Sequence, residues 1–158
     1  MSVELRAAEP ADCERVYAWN FARDVRAVSS KSTAVDLAQH TTWFAARLGE
    51  PAFWIIEDDG EPVGNIRIDR TAPPFGSAAR DGSLARESHA GAGRISIALD
   101  ASARGKGIGR AAIRRACAAW GSAVIATIMP DNRASRAAFA ACGFAPASSD
   151  ATTFHWSP

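Results

Sequence analysis

Along this chain the spacing of hydrophobic and polar positions switches between two residues and three to four, and the switches predict a mixed α/β domain. Val3, Leu5 and Ala7 alternate with polar neighbours, as in a half-buried strand. Pro10, Ala11 and Asp12 supply a helix start, and a short helix through about Asn20 follows. From Phe21 to Thr33 the sequence is polar and has no period. The run VDLAQHTTWFAARLGE has helical spacing. Leu37, Thr41, Phe44 and Leu48 share one face, Asp36, His40, Trp43 and Arg47 form the adjacent stripe, and Gly49 with Pro51 ends it.

AFWIIEDD and PVGNIRIDR, joined through the turn residues Asp58 to Gly60, predict a hairpin. In its second strand Asn65, Arg67 and Asp69 line one face, and Ile66 and Ile68 the other. Thr71 to Gly93 is rich in Ala, Gly, Ser and Pro without a period, as expected of a long functional loop that could close over a small substrate. RISIALD then reads as a buried strand, a glycine run opens a helix that reaches Trp120, and AVIATIMP gives another apolar strand. NRASRAAFAACGF predicts a helix with Ser135, Ala138, Phe139 and Cys142 on one side and Gly143 as its stop. FAPA and TTFHW supply two short terminal strands, whose edges would allow pairing into a homodimer.

Length and composition narrow the function classes. With 158 residues, 47% of them hydrophobic, the chain is expected to form one domain over residues 1–158 around one core. A formal charge of +1 lacks the broad electrostatic footprint of a non-specific nucleic-acid binder. The N-terminal MSVELRAAEP has no apolar signal-peptide region, and no stretch is long enough to span a membrane, so a cytoplasmic location is expected. The three cysteines (Cys13, Cys117, Cys142) and three histidines (His40, His89, His155) lack metal-ligand spacing; reduced thiols and no metal are expected.

The run ARGKGIGRAAIRRA carries the clearest chemistry. A helix N-terminus exposes N–H groups with partial positive charge, glycines let an anion approach the backbone, and Arg104, Lys106 and Arg110 add mobile cations. The physical reading is a pyrophosphate cradle. It is not a P-loop, because Gly107 follows Lys106 and no hydroxyl residue stands ready for magnesium. A dinucleotide fingerprint would need glycine where Arg110 stands.

The pattern Arg-x-x-Gly-x-Gly from Arg104 to Gly109 resembles the acyl-CoA loop of the GNAT superfamily of N-acetyltransferases. Asn132, Ser135, Phe139, Gly143 and Phe144 resemble its second signature, Asn-x-x-Ser/Ala-x-x-x-aromatic-x-x-x-Gly-Phe. The resemblance implies an α/β (α+β) GNAT fold: a mixed, mostly antiparallel sheet of about seven strands, about four flanking helices, and splayed fourth and fifth strands. It also implies acetyl-CoA as acyl donor and direct attack by an amine. Backbone donors near Ile97, Ala98 and Leu99 would hold the pantetheine arm and polarise the acetyl carbonyl. Arg104 and the amides of Gly105, Lys106, Gly107, Ile108, Gly109 and Arg110 would hold the phosphates, with Asn132, Ser135 and Phe139 on the other side of the splay.

A lysine-like amine, with a pKa of about 10.4, must lose a proton before it attacks. Candidate bases are His40, Asp69 and Glu57, with His40 preferred because its ordinary pKa lies nearest neutrality. Many members carry Tyr where Phe139 stands, to protonate the leaving thiolate; here Tyr17, the single tyrosine, or a water would replace it. Trp19-Asn20, Val25-Arg26, Ser29 and His40-x-x-Trp43-Phe44 resemble acetyltransferases of nucleotide-linked amino sugars of the pseudaminic-acid type. That likeness implies an acceptor diphosphate met by Arg26 or Arg67, and a base or sugar stacked on Trp43. Two other outcomes stay open: acetylation of a protein N-terminus or another small amine, and a non-catalytic acyl-CoA-binding module.

Overall fold

The computed structural model describes residues 1–28, 35–71, 92–147 and 152–158. Strands β1 (Val3–Ala7), β2 (Phe53–Asp58), β3 (Glu61–Arg70), β4 (Gly93–Leu99), β5 (Val124–Thr127), β6 (Ala145–Pro146) and β7 (Thr153–Trp156) form one sheet in the order β1-β2-β3-β4-β5-β7-β6. All neighbours are antiparallel except β4 and β5. The helices are α1 (Cys13–Asn20), preceded by a 3-10 turn at Pro10–Asp12, then α2 (Arg23–Ala27), α3 (Leu37–Arg47), α4 (Ile108–Trp120) and α5 (Arg133–Ala141). The mixed α/β fold is the expected one, its fourth and fifth strands running parallel, with five helices among the described residues where about four were anticipated.

The extra helix is α2, inside the segment read as irregular. Its five residues are too few for a 3.6-residue period to show, although Asp24 in its first turn and Arg26 in its last suit the helix dipole. Ser29 and positions 72–91 of the long loop lie outside the described residues.

Each face of the sheet has its own core. Ile66, Ile68 and Ile95 meet Ile108, Ala112, Ile113, Ala116 and Cys117 of α4 and Phe139 of α5. On the opposite face Phe53, Ile55 and Ala98 meet Val16 and Trp19 of α1 and Phe44 of α3. The alternation read for β3 holds: Ile66 and Ile68 enter the first core, while Asn65, Arg67 and Asp69 share the second face. Asn65 is buried there, its amide nitrogen donating to Asn20 Oδ1 at 3.0 Å.

The buried side of α3 draws on both stripes read from its sequence. Leu37 is 43% exposed and Thr41 also faces solvent, whereas His40 and Phe44 are buried. His40 of the second stripe turns inward because aromatic neighbours accept it: it lies 5.2 Å from Tyr17, 5.5 Å from Trp43 and 5.9 Å from Phe44, ring centre to ring centre. A sequence period fixes angular spacing but not which of two adjacent stripes finds a better surface.

Gly93, the first residue of β4, permits a close approach. A Cβ there would stand 2.2 Å from Ile68 Cγ2 and 2.7 Å from Trp120 Cε2, so the indole of α4 closes directly onto the strand. Gly93→Ala is expected to cost about 1–3 kcal/mol of unfolding free energy through overpacking. Urea unfolding monitored by circular dichroism checks this; an unchanged midpoint would mean that α4 does not seat on β4 as described.

Candidate functional site

The site begins with a shortfall in strand pairing. β4 pairs with β3 along its whole length, from Gly93 opposite Arg70 to Leu99 opposite Gly64. With β5 it pairs only at Gly93–Val124 and Arg94–Ile125. Beyond Arg94 the two strands part. Gly93 N donates toward the β5 side, to Ala123 O, and Asp100 N toward the β3 side, to Val63 O. Strand alternation therefore aims the main-chain groups of Ile95, Ile97 and Leu99 into the gap and those of Ala98 away from it, toward β3. Of the three residues expected along the pantetheine arm, Ile97 and Leu99 present backbone groups and Ala98 does not.

Because β4 and β5 run parallel, the segments after them emerge at the same end of the sheet. After β4 comes a 3-10 turn, Ala101–Ala103, and then the glycine run. Gly105 (φ 74°) and Gly107 (φ 83°) both adopt left-handed conformations, and a Cβ on either would meet nothing within 4 Å. The need for glycine here is conformational, not steric. Gly107 is the N-cap of α4 and gives no side-chain hydrogen bond, so the first-turn N–H groups of Ile108, Gly109 and Arg110 remain open to a ligand. Lys106 and Arg110 are exposed beside them.

Arg104 is a brace for this loop. Its Nε and Nη2 donate to Leu99 O at 3.3 and 3.0 Å, and its Nη1 pairs with Asp24 of α2. That guanidinium holds the Asp24 carboxyl below its ordinary pKa. Asp24 carries no local signal that could have linked it to a residue 80 positions away. After β5, Asn132 caps α5, its Oδ1 accepting from Ser135 N at 3.2 Å, while its amide nitrogen stays available. Ser135 is half-buried, and Phe139 is 3% exposed, packed edge-on against Phe144 with ring centres 4.9 Å apart. Phe139 is a core residue at the base of α5.

The proposed proton carriers are engaged elsewhere. His40 is 1% exposed, and its Nε2 lies 2.9 Å from Cys13 O; a carbonyl only accepts, so Nε2 carries the proton. Burial lowers its pKa against the opposing pull of that hydrogen bond. Instead of a base within reach of an amine, His40 is a neutral interior imidazole in an aromatic box, the correction that its burial requires. Tyr17 spends its hydroxyl proton on Val35 O at 2.9 Å. Glu57 accepts from Arg6 Nε at 2.6 Å, and Asp69 is clasped by Arg47 and by Arg67 Nε at 3.0 Å, so both carboxylates already hold guanidinium partners. Cys117, expected to be an inert buried thiol, has its pKa pushed up to about 12 by burial.

The proposed acceptor residues fall in two places. Arg26 lies 4.9 Å over the Phe21 ring. Trp43 is half-buried, with Arg67 5.0 Å and Arg47 5.8 Å from its ring centre. A base could stack on the face beside Arg67 only after that guanidinium moved. Arg47, Arg70 and Trp120, which complete this region, were not singled out by sequence, since each ends an element whose pattern is explained without them.

A parted parallel strand pair with a main-chain anion cradle at its mouth is the architecture of an N-acetyltransferase that takes its acetyl group from acetyl-CoA. The acetyltransferase (GNAT) domain model matches residues 2–145, and the chain belongs to that family. Among solved structures, aminoglycoside acetyltransferase AAC(6')-Ib in complex with ribostamycin and coenzyme A superposes with a TM-score of 0.75 at 20% identity, covering 99% of this chain and 94% of that one. An N-acetyltransferase from Staphylococcus aureus Mu50 gives 0.68 at 18% identity, covering 99% of both chains. Spermidine N-acetyltransferase from Vibrio cholerae, in complex with CoA and spermine, gives 0.70 at 15%, covering 92% of this chain and 82% of that one. At such identities the likeness concerns the fold. No curated protein matches this chain in sequence. Among the described residues no helix is long and apolar enough to cross a membrane.

The buried histidine has a pH signature. Its folded pKa lies below the ordinary 6.5, so under acid the unfolded chain binds a proton that the native state refuses. Stability should be fully present above 6.5 and fall as pH drops through 6.5 toward the folded value. His40→Gln should flatten this acid limb, as read by chemical denaturation at stepped pH; an equally steep limb in the variant would assign it to other groups.

Proposed function

We propose that this N-acetyltransferase acts on the primary amine of a small molecule, with a nucleotide-linked amino sugar as the acceptor class that its sequence favours. The observation that carries the cofactor half is the unpaired inner edge of β4 leading into two left-handed glycines. Acetyl-CoA supplies an acetyl group already activated as a thioester. The main-chain groups of Ile97 and Leu99 would align the pantetheine and offer a donor where negative charge grows on the acetyl oxygen. Amides from Gly105 to Arg110 would meet the phosphates, aided by the side chains of Lys106 and Arg110 and by the α4 dipole. Asn132, through its amide nitrogen, and Ser135, through its hydroxyl, would flank the arm from the α5 side. Arg104 keeps the loop in register more than it neutralises phosphate, given its bonds to Leu99 and Asp24.

With His40, Tyr17, Asp69 and Glu57 all engaged, the amine must lose its proton with little help from these side chains. An amine on a sugar ring, weakened by neighbouring oxygens, fits that requirement better than a lysine-like amine. Arg67 with Trp43, and Arg26 on α2, remain the residues proposed to meet the acceptor.

Gly107→Val would force a β-branched residue to φ near 83°. A strain of about 1–3 kcal/mol should weaken coenzyme A binding by roughly tenfold or more in titration calorimetry. Equal heats from wild type and variant, or none from either, would remove the cradle. In a thiol-release assay, nucleotide-linked amino sugars should outpace peptides. Faster peptide turnover would reject the amino-sugar acceptor while leaving the cofactor site intact.

A further inference from the structure

Between the ends of α3, β3 and α4 lies a cavity of about 310 Å³ that the acyl-CoA reading does not use. Arg47, Arg67 and Arg70 line it, with Asp69, Phe53 and Trp120. Glu50 supplies the second carboxylate of its wall. Three guanidiniums thus face two carboxylates, and their engagement is unequal. Asp69 gives one oxygen to Arg47 and the other to Arg67. Arg70 has no ion pair among the described residues, and its guanidinium lies 5.2 Å over the Trp120 ring. Arg94, opposite Asp69 in the β3–β4 register, is exposed on the neighbouring strand.

The register places this cavity relative to the reacting centre. Arg67 stands opposite Ser96, one residue from Ile97, while Asp69 and Arg70 stand opposite Arg94 and Gly93. At about 3.4 Å per residue, the path from Ile97 to the level of Arg94 or Gly93 is roughly 10–14 Å. It runs away from the glycine loop, which lies at the other end of β4. A molecule whose nitrogen met the thioester beside Ile97 could reach the cavity with its far end.

The geometry points to an acceptor that carries a carboxylate or phosphate about 10–14 Å from its reactive amine, seated in this cavity against Arg70 with Arg67 beside it. The inference rests on the acetyl-transfer reading above and deepens it. A concave wall with excess guanidinium charge attracts an anion and repels a polycation. Amines of the spermidine or aminoglycoside kind would bring several positive charges against it. The aromatic walls, Phe53 and Trp120, suit the apolar edges of the same ligand.

The test uses matched amines at saturating acetyl-CoA: triglycine against its C-terminal amide, and a UDP-linked amino sugar against the free amino sugar. In each pair the anionic member is expected to show kcat/KM about tenfold higher, the gain residing in KM. Arg70→Gln should bring the two members of each pair together without changing the KM for acetyl-CoA. Whichever pair shows the larger gain identifies the carboxylate or the phosphate as the source of the anion. Equal rates within both pairs, preference for spermidine, or a uniform loss in Arg70→Gln would overturn the inference. In parallel, tryptophan fluorescence is titrated with UDP at saturating coenzyme A. A saturable change abolished in Arg70→Gln supports the seat even if no amine releases thiol, an outcome that would defeat the transfer reading alone. No saturable change with UDP, together with equal rates for triglycine and its amide, would defeat the seat, whereas no change with UDP beside a triglycine preference lost in Arg70→Gln assigns it to a carboxylate.

Discussion

An interior strand whose backbone is paired on one side only beyond its first two residues is the constraint around which this molecule is arranged. Hydrogen-bonding groups buried without partners are costly, so Ile95, Ile97 and Leu99 make the gap between β4 and β5 a place that calls for a ligand. The protein answers part of the demand itself: Arg104 reaches back five residues to Leu99 O and caps the strand's last carbonyl. The remainder is left open, and the glycine loop that follows directs it toward a molecule with both amide and phosphate groups. Chemistry at the gap and anchoring at the loop are thus continuous along one stretch of main chain.

Charged side chains serve mostly as fasteners. Arg6 ties β1 to Asp12 at the start of α1 and to Glu57 of β2; Arg114 donates to Ala141 O at the end of α5. Arg104 joins the glycine loop to α2 through Asp24, so the N-terminal and C-terminal parts of the chain touch directly there. The second core, with its buried Asn65 and neutral His40, stands where the acceptor side is expected, and its polar groups are satisfied internally.

Most of the fold was legible because the strands and the two C-terminal helices have strong periods and clear stops: Gly121 and Gly143 follow α4 and α5 in left-handed conformations as C-terminal signals predict. The shape of the glycine loop was legible for a local reason, since it is built from consecutive backbone units whose left-handed conformations glycine permits. The acceptor side was harder to read. His40 looked like a base because a sequence displays a side chain's chemistry but not its burial, and four aromatic rings from two segments enclose it. Phe139 matched a signature position, yet its packing against Phe144 was invisible until the two helix-end residues were brought together. Long-range pairs such as Asp24 with Arg104, or Arg47 with Asp69, have no period to betray them.

The brief contact between β4 and β5 has a mechanical meaning as well. Two residue pairs, Gly93–Val124 and Arg94–Ile125, form the seam between a four-stranded sheet and a three-stranded one, and α4 is the strut that crosses beneath both. A ligand lying in the notch would supply bridging bonds that the seam lacks, in the way mortar completes a joint, and would make the donor substrate, while bound, a structural member of the sheet.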